Sequence, residues 1–222
     1  MSDRREQSNA AVAGDRDGDE RLNAETERAY DATAERYGAR WNVVDPLVDA
    51  KREFVAAAGP NALVADVGCG TGRDLAWFTR EGHRAIGVDR SRRMLQFAAA
   101  AAPTAALVRA DVRHLPFGPG VIDAWWACAV LLHLPPAGAL GALTDAQRVT
   151  RNGGVGFVAV KQGAGAQLEP ITETEYRRYL CYWKPDDLDD LIRRAGWVIE
   201  RAWTADDALG RRPWLSRMLR RA

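Results

Sequence analysis

Short apolar segments alternate with helical patterns along most of this chain. Segments with strand character cover residues 62–67, 85–89, 106–111, 121–132, 156–160, 198–204 and 214–219. Between them, apolar residues recur at the spacing of one helix face, as at Leu75 and Phe78. Strands that alternate with helices favour a parallel sheet covered on both faces. The pattern therefore predicts an α/β fold with a doubly wound, mostly parallel sheet of seven strands.

The first 23 residues differ in composition from the rest of the chain. They mix charges with Gly, Ser and Ala and carry few large apolar groups, so burial cannot offset the entropy lost on ordering them. Beyond them, Tyr30 and Tyr37 recur at helical spacing, and Trp41 follows. We predict a disordered tail over residues 1–23 and one domain over residues 24–222, which opens with an amphipathic helix that has an aromatic edge.

A second segment without regular pattern lies inside the domain. Residues 162–183 are aromatic and charged, and they separate the fifth strand from a helix that begins at Pro185 and ends at Gly196. Insertions near the carboxyl end of a strand often line a ligand site. We expect the same of this one.

Composition restricts the classes of protein that the chain can belong to. With 222 residues, of which 47% are hydrophobic, it is long enough for one α/β domain. A formal net charge of +1 gives no global field for nucleic acid or membrane, and the three cysteines follow no metal-binding or disulfide pattern. No apolar run approaches the roughly 18 residues of a membrane span, and there is no secretory signal. We expect a soluble, cytoplasmic protein without a metal site.

The most specific motif is the sequence DVGCGTG at residues 66–72. A strand runs into Gly68, Gly70 and Gly72, and glycine lets backbone approach a ligand closely. Such a turn also presents free N–H groups to a carboxylate or a phosphate. However, the spacing is G-x-G-x-G rather than the G-x-G-x-x-G of dinucleotide-binding sites, and a charge at Asp66 is badly placed for a pyrophosphate. The acid suits a ligand that carries an ammonium group.

With these residues the chain resembles the class I methyltransferases that use S-adenosylmethionine, over about residues 30–219. The resemblance includes GVDRS after the second strand, ADVRHLPF after the third, VIDAWWACAVLLHLP across the fourth and RVTRNGG before the fifth. It implies a Rossmann-like fold with the glycine turn beneath the methionine moiety. It places Asp89 on the ribose hydroxyls, Asp111 on the adenine amine, Val112 N–H on the adenine ring and Arg90 beside it. The implied cofactor-binding residues are Asp66, Gly68, Cys69, Gly70, Thr71, Gly72, Asp89, Arg90, Asp111, Val112 and Cys128.

The acceptor side is less explicit. His133 follows the fourth strand, near where this fold holds the transferring methyl group, so it is a candidate general base. The alternative is a polar cap on the strand end. Tyr30, Tyr37 and Trp41 resemble the aromatic lid of small-molecule methyltransferases, and a plain packing stripe is the alternative. We also assign to the acceptor site Lys161, which precedes the irregular insertion, and Trp183, which is its last residue.

The sequence thus predicts a methyltransferase that uses S-adenosylmethionine and acts on an oxygen or nitrogen atom of a small molecule. Nucleic acid is disfavoured as a substrate, because no Asn/Asp-Pro-Pro-Tyr follows the fourth strand and no Pro-Cys pair supplies an attacking thiol. Two alternatives stay open. One is an NAD(P)-dependent oxidoreductase on the same fold, and the other is a protein that binds S-adenosylmethionine without catalysis. The sequence leaves the oligomeric state open.

Overall fold

The protein folds into one α/β unit, described by a computed structural model over residues 16–41, 47–171, 174–207, 210 and 212–222. The helices are α1 (Arg16–Trp41), α2 (Val48–Ala58), α3 (Arg73–Arg80), α4 (Arg92–Ala101), α5 (Pro136–Val149) and α6 (Pro185–Arg194). The strands are β1 (Leu63–Val67), β2 (Arg84–Asp89), β3 (Ala106–Arg109), β4 (Ile122–Cys128), β5 (Thr150–Lys161), β6 (Ala166–Pro170), β7 (Arg177–Cys181), β8 (Trp197–Ala205) and β9 (Trp214–Arg221).

Seven strands form the central sheet in the order β3-β2-β1-β4-β5-β9-β8. Strands β1 to β5 run parallel to one another, and β9 lies between β5 and β8 and runs antiparallel to both. The predicted doubly wound, mostly parallel, seven-stranded sheet is confirmed. The strand order reverses between β1 and β4, and in such sheets ligands bind outside the carboxyl ends of the strands at that point.

Two adjacent tryptophans on β4 anchor the two faces of the sheet. Trp125 stacks on Trp197 with ring centroids 6.1 Å apart, and Trp126 stacks on Phe157 at 3.8 Å. Successive side chains of a strand point to opposite faces, so each tryptophan belongs to a different half of the core. Both are at most 1% exposed. They fix the central strand whose carboxyl end borders the site.

The amino-terminal helix is longer than the sequence predicted. It begins at Arg16, so the prediction that residues 16–23 belong to a disordered tail is wrong. The physical reason is burial, because Leu22 packs against the core and Asn23 is 7% exposed. Residues 1–15 of the predicted tail lie outside the described residues.

Two connections also differ from the predicted pattern. The apolar run 121–132 is one strand only to Cys128, because Ala129 has a φ of 59° and the chain turns into a short 3₁₀ helix, η1 (Leu131–His133). The insertion 162–183 contains a hairpin in which β6 and β7 pair antiparallel, with Glu169 opposite Arg178. Among the described residues, no helix is both long and apolar enough to cross a bilayer.

Candidate active site

The glycine turn, residues 68–72, joins β1 to α3. All three of its glycines have positive φ, at 71°, 54° and 85°. A Cβ at Gly68 would meet Val130 Cγ2 at 2.3 Å, and one at Gly72 would meet Ala98 Cα at 2.8 Å, so these two glycines are required by packing. A Cβ at Gly70 would meet only Tyr37, at 4.0 Å. The backbone of Gly70 therefore faces open space beneath the ring of Tyr37.

Asp66 lies under the glycine turn and is 2% exposed. Its Oδ2 atom has no hydrogen-bond partner among the described residues. Burial, together with the nearby Asp74 carboxylate, raises the pKa of Asp66 well above its usual value. The side chain borders a cavity of about 50 Å³ that Cys69 and Thr71 also line. A buried carboxyl group without a partner is costly, and an incoming cation would compensate that cost.

Asp89 connects the end of β2 to the glycine turn. Its Oδ2 accepts a hydrogen bond from Gly70 N–H at 2.8 Å, and its Oδ1 accepts one from Ser91 N–H at 2.8 Å. Burial raises the pKa of Asp89 to about 6, although these backbone donors act in the opposite direction. The carboxylate predicted for the ribose hydroxyls is thus held by two backbone donors at the edge of the larger cavity.

A group of five charged residues, which we call the charge clasp, ties α1 to the end of β3: Glu20, Glu27, Arg90, Asp111 and Arg113. Asp111 accepts from Arg113 Nε at 2.9 Å and from Arg90 Nη1 at 3.0 Å. Glu20 binds both arginines, at 2.5 and 2.9 Å, and Glu27 accepts from Arg90 Nε at 2.6 Å. Burial alone would raise the pKa of Asp111, but the hydrogen bonds from Arg113 lower it. Neither glutamate was predicted to belong to the site, and Glu20 was assigned to the disordered tail.

Helix α1 covers a cavity of about 140 Å³ at the carboxyl edge of the sheet. Pockets that bind small molecules usually measure about 300–1,000 Å³, so this cavity is smaller than a typical site for a ligand of nucleoside size. The cavity brings together ten of the residues predicted from the sequence: Tyr30, Tyr37, Gly68, Gly70, Asp89, Arg90, Asp111, Val112, Cys128 and His133.

His133 is held between the helix α1 and the strand β7. Its Nδ1 lies 2.8 Å from the carbonyl oxygen of Tyr179, and its Nε2 lies 2.8 Å from Tyr30 Oη. A carbonyl oxygen only accepts, so Nδ1 carries the proton and Nε2 accepts from the Tyr30 hydroxyl. Burial and the nearby Arg178 lower the pKa of His133 to about 3. Such a group is a poor base near neutral pH, which favours the alternative that this histidine is a structural cap.

The remaining predicted acceptor residues lie elsewhere. Lys161 Nζ pairs with Asp207 and lies 3.8 Å from the ring centroid of Trp214, so it is engaged at the β5–β9 edge and does not line the cavity. Trp183 is 4% exposed, bonds through its backbone N–H to Lys161 O, and does not line the cavity either. The lining of this cavity therefore supports neither assignment. The side chain of Trp41 lies outside the described residues.

A buried ion network that the sequence analysis missed supports the glycine turn from below. Asp74 accepts from Lys51 Nζ at 3.0 Å, from Arg73 Nε at 2.8 Å and from Trp126 Nε1 at 3.0 Å. Lys51 is 0% exposed. Arg73 Nη2 lies 3.9 Å from Cys128 Sγ, and burial raises the pKa of that thiol to about 12. The signal for Arg73 was present, because it directly follows the glycine turn.

The strand order, the glycine turn and the acids after β2 and β3 define the fold and site of the class I methyltransferases. In agreement, residues 64–154 match the family model for the methyltransferase domain. Residues 64–154 therefore form a methyltransferase domain of the family that uses S-adenosylmethionine. The prediction of that family and of its cofactor is confirmed.

Relatives and solved structures agree with this assignment. An uncharacterized methyltransferase of Mycobacterium sp. (strain KMS) is 36% identical over 43% of this chain and 37% of its own length. Methyltransferase GfsG of Streptomyces halstedii is 30% identical over 50% of this chain and 44% of its own. The chain thus spans less than half the length of these relatives. The crystal structure of Burkholderia thailandensis 1,6-didemethyltoxoflavin-N1-methyltransferase is 20% identical, with a TM-score of 0.76 over 92% of this chain and 90% of that one.

The residues present fit S-adenosylmethionine. The unpartnered oxygen of Asp66 suits the ammonium group of its methionine part, and the open space above Gly70 leaves room for that part to cross the turn. Asp89 and Asp111, at the ends of β2 and β3, supply the acceptors that a ribose diol and an exocyclic amine need. We call the first region, around Asp66 and the glycine turn, the methionine end, and the second the nucleoside end.

Proposed function

We propose that this protein transfers a methyl group from S-adenosylmethionine to an oxygen or nitrogen atom of a small-molecule acceptor. One observation carries the proposal. A single cavity is lined both by the donor residues Asp89 and Asp111 and by Tyr30, Tyr37 and His133 from α1 and η1. An acceptor between the aromatic rings and the glycine turn would face the donor inside the same cavity.

The chain's own residues act mainly by holding the two reactants. S-adenosylmethionine supplies an activated methyl group that is displaced in line from a sulfonium. Asp66, Asp89 and Asp111 would bind the donor at three separated points and thereby fix its orientation. The rings of Tyr30 and Tyr37, with centroids 5.6 Å apart and planes at 85°, exclude water beside it. Alignment of this kind lowers a barrier without a dedicated catalytic group.

The cover over the cavity favours a small acceptor. Helix α1 lies over the cavity, and Thr26 and Tyr30 bind it to the hairpin strand β7, which restricts access for a macromolecular chain. The solved structure of 1,6-didemethyltoxoflavin-N1-methyltransferase, which has this fold, contains 1,6-didemethyltoxoflavin and S-adenosylhomocysteine. That likeness concerns the fold, and the acceptor of the present chain is a separate question.

Of the alternatives, the oxidoreductase is disfavoured, because the domain match and the relatives are methyltransferases. A protein that binds S-adenosylmethionine without catalysis keeps one supporting observation. The candidate base His133 has a pKa of about 3, so the site holds no strong general base at that position.

The test combines donor binding with a search for the labelled product. We expect calorimetry to show binding of S-adenosylmethionine and S-adenosylhomocysteine, and methyl-labelled donor to label small molecules in a fractionated cell extract. Tyr37→Ala should slow labelling much more than it weakens donor binding, whereas Tyr176→Ala, at an exposed tyrosine, should change neither. Label found only in the macromolecular fraction would contradict a small acceptor. Donor binding without any labelled product would establish the non-catalytic alternative.

A further inference from the structure

Arg178 is a cation beside the acceptor side of the cavity, and within the described part of the chain no carboxylate forms an ion pair with it. Its Nη1 donates to Tyr30 Oη at 3.0 Å, and its guanidinium carbon lies 5.9 Å from the Tyr30 ring centroid. Its Nε is buried and has no partner in the part of the chain that the structure describes. Since Tyr30 lines the cavity, the guanidinium stands one hydrogen bond behind the cavity wall.

The neighbouring acid does not pair with it. Glu169 lies directly opposite Arg178 in the hairpin, yet its carboxylate accepts from the Tyr182 hydroxyl and from Gln167 Nε2 instead. Arg73, another arginine near the site, is paired with Asp74. The comparison singles out Arg178, because its buried Nε has no partner among the described residues and a bound anion nearby would reduce the cost of burying the charge.

A second observation concerns the proton of the acceptor. His133 uses Nδ1–H for the Tyr179 carbonyl and Nε2 for the Tyr30 hydroxyl, so both ring nitrogens are occupied. The Tyr30 hydroxyl is likewise engaged, by His133 and Arg178. These groups are arranged to hold one another in place and are not free to accept a proton. An acceptor that has to lose a proton before it reacts would therefore have to arrive already ionised.

From these observations we infer that the acceptor is an anion, the ionised form of a flat oxygen or nitrogen acid such as a phenol or an imide, and that Arg178 selects it. The inference rests on the proposed function and names its substrate class. The acceptor's oxygen or nitrogen anion forms a bond to the methyl carbon while the carbon–sulfur bond breaks. The sulfonium becomes a neutral thioether, the acceptor becomes neutral, and no proton has to be removed.

The experiment measures binding of matched probes to the full chain saturated with S-adenosylhomocysteine. At pH 8, 4-nitrophenol is compared with 4-methylphenol, and 5-nitrouracil with uracil, because the members of each pair are similar in shape and differ in ionisation. We expect the ionised member to bind at least about tenfold more tightly, as the attraction between opposite charges in a partly buried site implies. Its binding should also follow its ionised fraction when the pH is varied.

Variants assign the preference to Arg178. Arg178→Gln should reduce the ratio within each pair to about twofold, and Arg178→Lys should restore part of it. Arg177→Gln, at the exposed neighbour on β7, should leave it unchanged. Affinity for S-adenosylhomocysteine should stay within threefold in every variant. Equal binding of neutral and ionised probes, a preference that survives Arg178→Gln, or no probe binding would overturn the inference. Failure of S-adenosylhomocysteine itself to bind would instead contradict the proposed function.

Discussion

The two ends of the donor site treat their carboxylates in opposite ways. At the methionine end, one oxygen of Asp66 is buried without a partner among the described residues. At the nucleoside end, Asp111 already accepts from Arg113 and Arg90, which Glu20 holds in place. The cost of burying Asp66 is compensated only when a cation binds, whereas Asp111 has to give up arginine hydrogen bonds before it can bind a ligand. We therefore expect the methionine end to favour positively charged groups, and the nucleoside end to limit how fast a ligand enters.

The largest effect is expected at the methionine end. Asp66→Asn should weaken binding of S-adenosylhomocysteine by about tenfold to 150-fold, because it removes a charge-assisted hydrogen bond worth about 1.5–3 kcal/mol. Melting temperature should change little, since an amide of the same shape replaces a buried carboxyl group, one oxygen of which has no partner among the described residues. Calorimetry and thermal unfolding measure the two quantities. Asp49→Asn, at an exposed site, is the control, and unchanged affinity in Asp66→Asn would place the ammonium group elsewhere.

An intermediate effect is expected from pH. Asp89 accepts hydrogen bonds from a ligand best when it is ionised, and its pKa is raised to about 6. Affinity for S-adenosylhomocysteine should therefore be full above that value and fall as the pH drops through it, by roughly tenfold at pH 5. His133, with a pKa of about 3, does not titrate in this window.

Asp66 titrates in the same direction, because its pKa is also raised. The variant Asp89→Asn retains only the contribution of Asp66, so the difference between the two pH profiles measures the share of Asp89. A wild-type affinity that is flat from pH 7 to pH 5 would show that neither acid is coupled to ligand binding.

The smallest effect is expected at the charge clasp. Its pairs are partly exposed, and such pairs contribute about 0.2–1 kcal/mol, so Glu20→Gln should change equilibrium affinity by less than about fivefold. It should nevertheless speed association in stopped-flow measurements, because α1 is released from Arg90 and Arg113. Added salt should have the same effect on the unaltered protein and less effect on the variant. Glu35→Gln, on the exposed face of α1, should leave the rates unchanged; equal rates in both variants would show that the clasp does not limit access.

The sequence predicted the parts of the site that local chemistry determines. The glycine turn, Asp89 and Asp111 follow strands whose apolar runs are evident, and the parallel sheet necessarily brings those strand ends together. The residues it missed act over long separations. Arg178 meets Tyr30 148 positions away, and Arg113 meets Glu20 93 positions away. No local pattern specifies contacts of that kind.

Lys161 and Trp183 are the two acceptor assignments that the cavity does not include. Lys161 was assigned from its position at the end of a strand, but the structure pairs it with Asp207, 46 residues later in the chain. The hairpin of β6 and β7 was not predicted because its residues show no apolar alternation. Its outer positions carry charges and only the end of β7 is buried.

The ties between α1 and β7 have a consequence for how the protein opens. Thr26 Oγ1 accepts from Tyr179 N–H at 3.0 Å, and four residues further along the helix Tyr30 is bound to Arg178 on the same strand. Segments joined in this way tend to unfold locally as one cooperative unit. The hairpin should then exchange its amide hydrogens together with the middle turns of α1, and a substitution in β7 should alter the residence time of a bound nucleoside.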